Sequence, residues 1–119
     1  MANEKDKEDK TNLKSGTSDI KNFTTPVGGI PNGETWVITE FGGADINNGD
    51  NFSSTYQLKY NGSNLPGAFI SVSGNTVVLK GNWEIKGKAQ SDGKIEVERT
   101  NYSNKDKILP TWIRAYKRS

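Results

Sequence analysis

From Glu34 onward, apolar and polar residues alternate in short runs, the period-two signature of half-buried β-strands. The pattern predicts seven strands, at residues 35–41, 55–60, 68–73, 76–80, 83–87, 94–100 and 111–117. Trp36 and Ile38 fall on one face of the first, and Val37, Thr39 and Phe41 on the other. Both faces are fairly apolar, as in a strand covered on each side near a barrel mouth. In the second, Tyr56, Leu58 and Tyr60 alternate with Gln57 and Lys59. Turn formers separate the runs: Asn61-Gly62, Gly74-Asn75, Gly81-Asn82 and Ser91-Asp92-Gly93.

These connections are too short for parallel crossovers, so the expected sheet is an antiparallel meander. Closing it removes exposed edges, which favours a small barrel, or a sandwich, of seven to eight strands. The expected class is all-β, with no helix longer than a turn or two. Residues 1–33 carry charges and turn formers but little to bury. Their Lys/Glu run has no apolar stripe to dock a helix, and reads as a disordered, flexible charged tether before an all-β domain at 34–119. Phe23 and Ile30 are the residues available to pin its later part.

Composition narrows the chemistry. The chain has 119 residues, enough for one domain at most, with no cysteine and no histidine. Disulfides, thiolate metal sites and the commonest general base are absent. The expectation is no enzyme, no catalytic residues, no metal and no cofactor. Net charge is +2, and residues 99–119 hold six of the 16 basic residues against Asp106. Arg114, Tyr116 and Arg118 share one face of the last strand. That face fits either a nucleic-acid surface or ordinary pairing with acidic strands such as Glu96 and Glu98, and pairing is favoured. No nucleic acid is expected as a partner. No run approaches the length of a membrane-spanning helix.

The order of elements resembles the small lipocalin-like β-barrel proteins of Gram-negative bacteria, often exported lipoproteins of unassigned function. The resemblance rests on a Trp-headed first strand, a Gly/Asp/Asn loop, an aromatic strand ending at Asn61-Gly62, and Gly81-Asn82-Trp83-Glu84-Ile85. Gly81-Asn82-Trp83 fits a recurring G-x-W, and Gly33-Glu34-Thr35-Trp36 is a near fit. The resemblance covers about residues 33–119 and implies a meander barrel that binds an apolar ligand. It also implies export to the periplasm, an outer-membrane lipid anchor or an extracellular place. The signal for that would lie outside this sequence, with the charged segment as linker.

The candidate ligand-binding residues are Trp36, Tyr56, Tyr60, Phe69, Trp83 and Trp112. Trp36 and Trp112 head the first and last strands, which are neighbours in a closing barrel, and are expected near each other. The tryptophans form either an aromatic rim or a structural plug. Tyr56, Leu58, Tyr60, Phe69, Ile70 and Val72 either line a cavity or fill it. The segment 45–50 resembles the start of a calcium loop but places its glycine one position early. Asp45 with Asp50, or Asp92 with Glu84, are weak acid/base pairs. The leading function is a non-enzymatic, exported or surface-anchored binding module for a small apolar ligand. The alternative is a structural or protein-interaction module, in the cell envelope or a virion, with a filled barrel.

Overall fold

The computed structural model describes residues 3–7, 12–23, 30–44, 54–73, 75–87, 94–103 and 106–118. Its strands are β1 (Asn3–Lys7), β2 (Asn12–Leu13), β3 (Ser18–Asn22), β4 (Thr35–Gly43), β5 (Ser54–Tyr60), β6 (Ser63–Val72), β7 (Val77–Lys86), β8 (Ile95–Asn101), β9 (Lys107–Ile108) and β10 (Thr111–Arg118). The first sheet has the order β1-β10-β4-β7, the second β3-β8-β5-β6, and β2 pairs with β9 in a short ribbon. Every pairing is antiparallel. Among the described residues no helix is long and apolar enough to cross a membrane.

The chain is all-β and antiparallel, as its alternation predicts. The sequential meander does not hold: β4 pairs with β10 and β7, and β5 pairs with β8 as well as β6. The two sheets pack inner face to inner face around one core, and no ladder among the described residues closes them into a barrel. The second sheet follows period two closely. Tyr56, Leu58, Val97 and Ile70 point inward, while Thr55, Gln57, Glu98 and Phe69 point outward.

Three sequence expectations are corrected by the packing. A register shift between Arg114 and Ala115 of β10 leaves one extra residue, Thr39, in β4. It resets the alternation, so Phe41 joins Trp36 and Ile38 in the core. This bulge explains why the strand reads as apolar on both faces. Gly81-Asn82 is not a turn, because β7 continues through it, with one extra residue there against β4. A side chain at Gly81 would collide with the Trp83 ring, so the glycine gives that ring room to lie along its own strand. The connection between β6 and β7 joins two sheets instead of making a hairpin. The turn that does hold is Asn61-Gly62, where both residues have positive φ, 50° and 82°, as a tight β5–β6 hairpin requires.

The tether expectation is corrected for its described part. β1 adds to β10 at the edge of the first sheet and β3 adds to β8 at the edge of the second. Leu13, Phe23 and Ile30 are core residues. The physical reason lies in the partner strands. β8 and β10 would otherwise be open edges, and a polar segment can satisfy a backbone ladder without an apolar stripe. Asn101 shows the attachment: its backbone N–H donates to Thr17 O and its carbonyl accepts from Gly16 N–H, at 3.0 and 2.8 Å. Its side-chain amide donates to Leu13 O at 2.9 Å.

Between β3 and β8 lies a buried cation. The Arg99 side chain is 0% exposed and projects inward. Its Nε and one terminal nitrogen donate to the two Asp19 carboxylate oxygens at 2.9 and 2.5 Å, and its other nitrogen donates to Leu109 O at 2.6 Å. A guanidinium is tolerated in a core only when its donors are met in this way. One side chain therefore ties together the N-terminal segment, the second sheet and the approach to the last strand.

Candidate binding face

The six sequence candidates do not converge on one cavity. Trp36 and Tyr56 are buried in the inter-sheet core, and Tyr56 donates its phenol to Ala44 O at 2.7 Å. Tyr60 and Trp83 are half-buried against that core. Tyr60 donates to Lys86 O at 3.0 Å, and the Trp83 indole donates to Pro66 O at 2.8 Å, across the seam between β7 and β6. Trp112 lies on the outer face of the first sheet, flat over Gly42, where any added Cβ would meet its ring. Its indole donates to Glu40 at 3.3 Å. Phe69 lies on the outer face of the second sheet.

β4 and β10 are neighbours, as expected of first and last strands, yet Trp36 and Trp112 are far apart. Trp36 stands opposite Lys117, and Trp112 opposite Gly42, at the two ends of the ladder. Antiparallel pairing puts the start of one strand beside the end of the other, roughly 20 Å from its own start over six residues. The shared aromatic rim is therefore not formed.

The interior of the described fold is occupied. Ile38, Phe41, Tyr56, Leu58, Val72 and Val97 have no exposed surface. A water-sized void beside any of them would leave surface on it, so these side chains fill the space that a calyx would need.

The outer face of the second sheet is different. Register places three rows across it: Ser71, Thr55, Thr100 and Ser18; Phe69, Gln57, Glu98 and Ile20; Asn64, Lys59, Glu96 and Asn22. Phe69 is 53% exposed, Ile20 54%, and Tyr102, just beyond β8, 62%. Thr55, Gln57, Asn64, Phe69, Glu98, Thr100 and Tyr102 line a shallow groove of about 300 Å³. Gln57 donates its amide to the carbonyls of Leu58 and Ala68 at 2.9 and 3.1 Å, which fixes the register shift in β6 that brings Phe69 opposite it. Lys59 Nζ bridges Asn64 and Glu98 at 2.9 and 3.4 Å. Phe69 was legible as outward-facing, since Ile70 and Val72 take the other parity. Grouping it with them as a cavity residue is corrected. Tyr102 carries no strand signal, and sequence reasoning missed it.

The basic last strand pairs with acids, though not those expected. Arg118 forms an ion pair with Glu84, and Arg114 stands opposite Glu40. Glu98 instead meets Lys59 on the other sheet. The calcium-like segment 45–50, with Asp45 and Asp50, and also Asp92, lie outside the described residues. Among the described residues no group of three acidic, His or Cys side chains is arranged to hold a metal ion.

At one end of the first sheet, the Trp36 indole donates to Glu34 at 3.1 Å and Lys117 approaches its other oxygen at 3.2 Å. These hydrogen bonds hold the Glu34 carboxyl below its ordinary range, the indole bond contributing most. A depressed carboxylate stabilises the fold above the pKa of the unfolded chain and loses that contribution as pH falls through the folded pKa. Glu34→Gln is expected to flatten the acid side of a melting-temperature profile slightly while changing little at neutral pH. An unchanged acid slope would show that this cluster contributes nothing.

No protein-family model matches this chain, and no curated protein matches it.

Proposed function

We propose that this chain is a non-enzymatic, exported or surface-anchored binding module that recognises its partner with the outer face of its second sheet. One observation carries the reading: the inward aromatics are consumed by packing, while Phe69 and Tyr102 stand more than half exposed on either side of a groove lined by polar side chains. Aromatic rings are enriched where a ligand or partner covers them, and two grouped around a groove fit that use. An internal apolar ligand has less support, because Trp36 and Tyr56 would have to leave the core to admit one. Export and anchoring rest on the lipocalin-like resemblance.

The test is retention of the full chain on a cell-envelope fraction of its host, compared with the Phe69→Ala/Tyr102→Ala double variant. Both side chains are exposed, so truncation is expected to shift stability by no more than about 0.5 kcal/mol. Retention is expected to fall at least tenfold with melting temperature unchanged. Equal retention by the variant would sink the outer-face reading.

A further inference from the structure

Resting on that outer-face reading, we propose that the groove between Phe69 and Tyr102 binds a neutral oligosaccharide. A pyranose ring presents two surfaces. Its C–H faces stack on aromatic rings, and its hydroxyl edge both donates and accepts hydrogen bonds. The groove supplies a complement to each. Phe69 and Tyr102 are exposed rings at its margins. Gln57 beside Glu98 and Thr55 beside Thr100 run between them as cross-strand pairs. The Gln57 amide hydrogens are spent on backbone carbonyls, so Gln57 and Glu98 offer acceptor oxygens, while the Thr55 hydroxyl, and that of Thr100 beside Ser18, donate and accept, a mixture that suits a sugar's hydroxyls.

Charge and polarity narrow the class. Across the three rows of the face, Lys59 stands against two carboxylates, Glu96 and Glu98, and its ammonium already meets Glu98 and Asn64. Sulfated, phosphorylated or uronate-bearing ligands would meet a field of the wrong sign. A purely apolar ligand would strip water from Thr55, Gln57, Glu98 and Thr100 without replacing their hydrogen bonds. A neutral sugar chain replaces those bonds and covers the rings. The open shape of the groove suits a chain lying across the sheet rather than a monosaccharide enclosed in a pocket.

The test is binding of the full chain to an array of neutral hexose and N-acetylhexosamine oligosaccharides, with sulfated and uronate-bearing glycans beside them. Retention on neutral glycans is expected, weakened about tenfold by Phe69→Ala and again by Tyr102→Ala, and insensitive to salt. No retention, retention on the anionic glycans alone, or retention by both variants equal to that of the parent chain would overturn the proposal. Periodate and protease treatment of the envelope fraction separate this failure from that of the broader reading. Capture that depends on Phe69 and Tyr102 but is lost to protease and survives periodate overturns the sugar while leaving the face. Capture indifferent to both residues removes the face as well.

Discussion

Replacing Asp19 with alanine is expected to lower the stability of the fold by about 3 kcal/mol, a fall in melting temperature of roughly 10–15 °C for a domain of this size. The variant strands a cation. Arg99 is fully buried, and two of its three recorded hydrogen bonds go to the Asp19 carboxylate. Without that carboxylate the guanidinium keeps, among the described residues, only the Leu109 carbonyl as an acceptor. The loss lies at the lower end for a broken buried pair because the Asp19 side chain is 25% exposed, which lets water reach the gap. The double variant Asp19→Leu/Arg99→Met is the informative control. It removes both charges and refills the volume, so most of the loss is expected to return. About 1 kcal/mol remains for the Leu109 carbonyl left without its donor. Chemical denaturation of the three proteins measures this. A single variant as stable as the parent would mean that the N-terminal segment is not part of the cooperative fold.

Tyr56→Ala is expected to cost about 4 kcal/mol, and Tyr56→Phe only about 1 kcal/mol. Tyr56 is buried where the two sheets meet, and its ring packs against Gly43, where even an added methyl would not fit. Truncation leaves a cavity that the surrounding strands cannot close, whereas loss of the hydroxyl removes one hydrogen bond to Ala44. The comparison with Phe69→Ala separates a core residue from a recognition residue. Tyr56→Phe is expected to bind its partner normally, and Phe69→Ala to fold normally and bind poorly. A Tyr56→Phe protein that folds but loses its ligand would place the site inside.

The strands were legible because most of them keep strict period two, and the antiparallel class followed from short turns. Pairing was not legible. β4 carries the same alternation whether its neighbour is β5 or β7, and nothing local to Val77 or Ser54 states which sheet each strand joins. The bulge at Thr39 was hidden as well, since one extra residue looks like a strand apolar on both faces. The N-terminal segment misled for a different reason. Its contribution is a backbone ladder, one carboxylate and three core residues, Leu13, Phe23 and Ile30, spaced too far apart to leave a periodic hydrophobic trace. Arg99 reads as a surface cation until Asp19 is found 80 residues away beside it. Of the proposed recognition face, Phe69 was readable from parity and Tyr102 was not, because it follows the end of a strand in a polar segment.

The most direct test of an occupied core with recognition on the outer face is hydroxyl-radical footprinting of the full chain, with and without the host envelope fraction. One experiment reports on Trp36, Tyr56, Phe69, Trp83, Tyr102 and Trp112 together. The predicted result is strong labelling of Phe69 and Tyr102 that the envelope fraction suppresses, with Trp36 and Tyr56 unlabelled in both states. Labelling of Phe69 and Tyr102 that the envelope fraction leaves unchanged, or protection that falls instead on Trp36 and Tyr56, would contradict it.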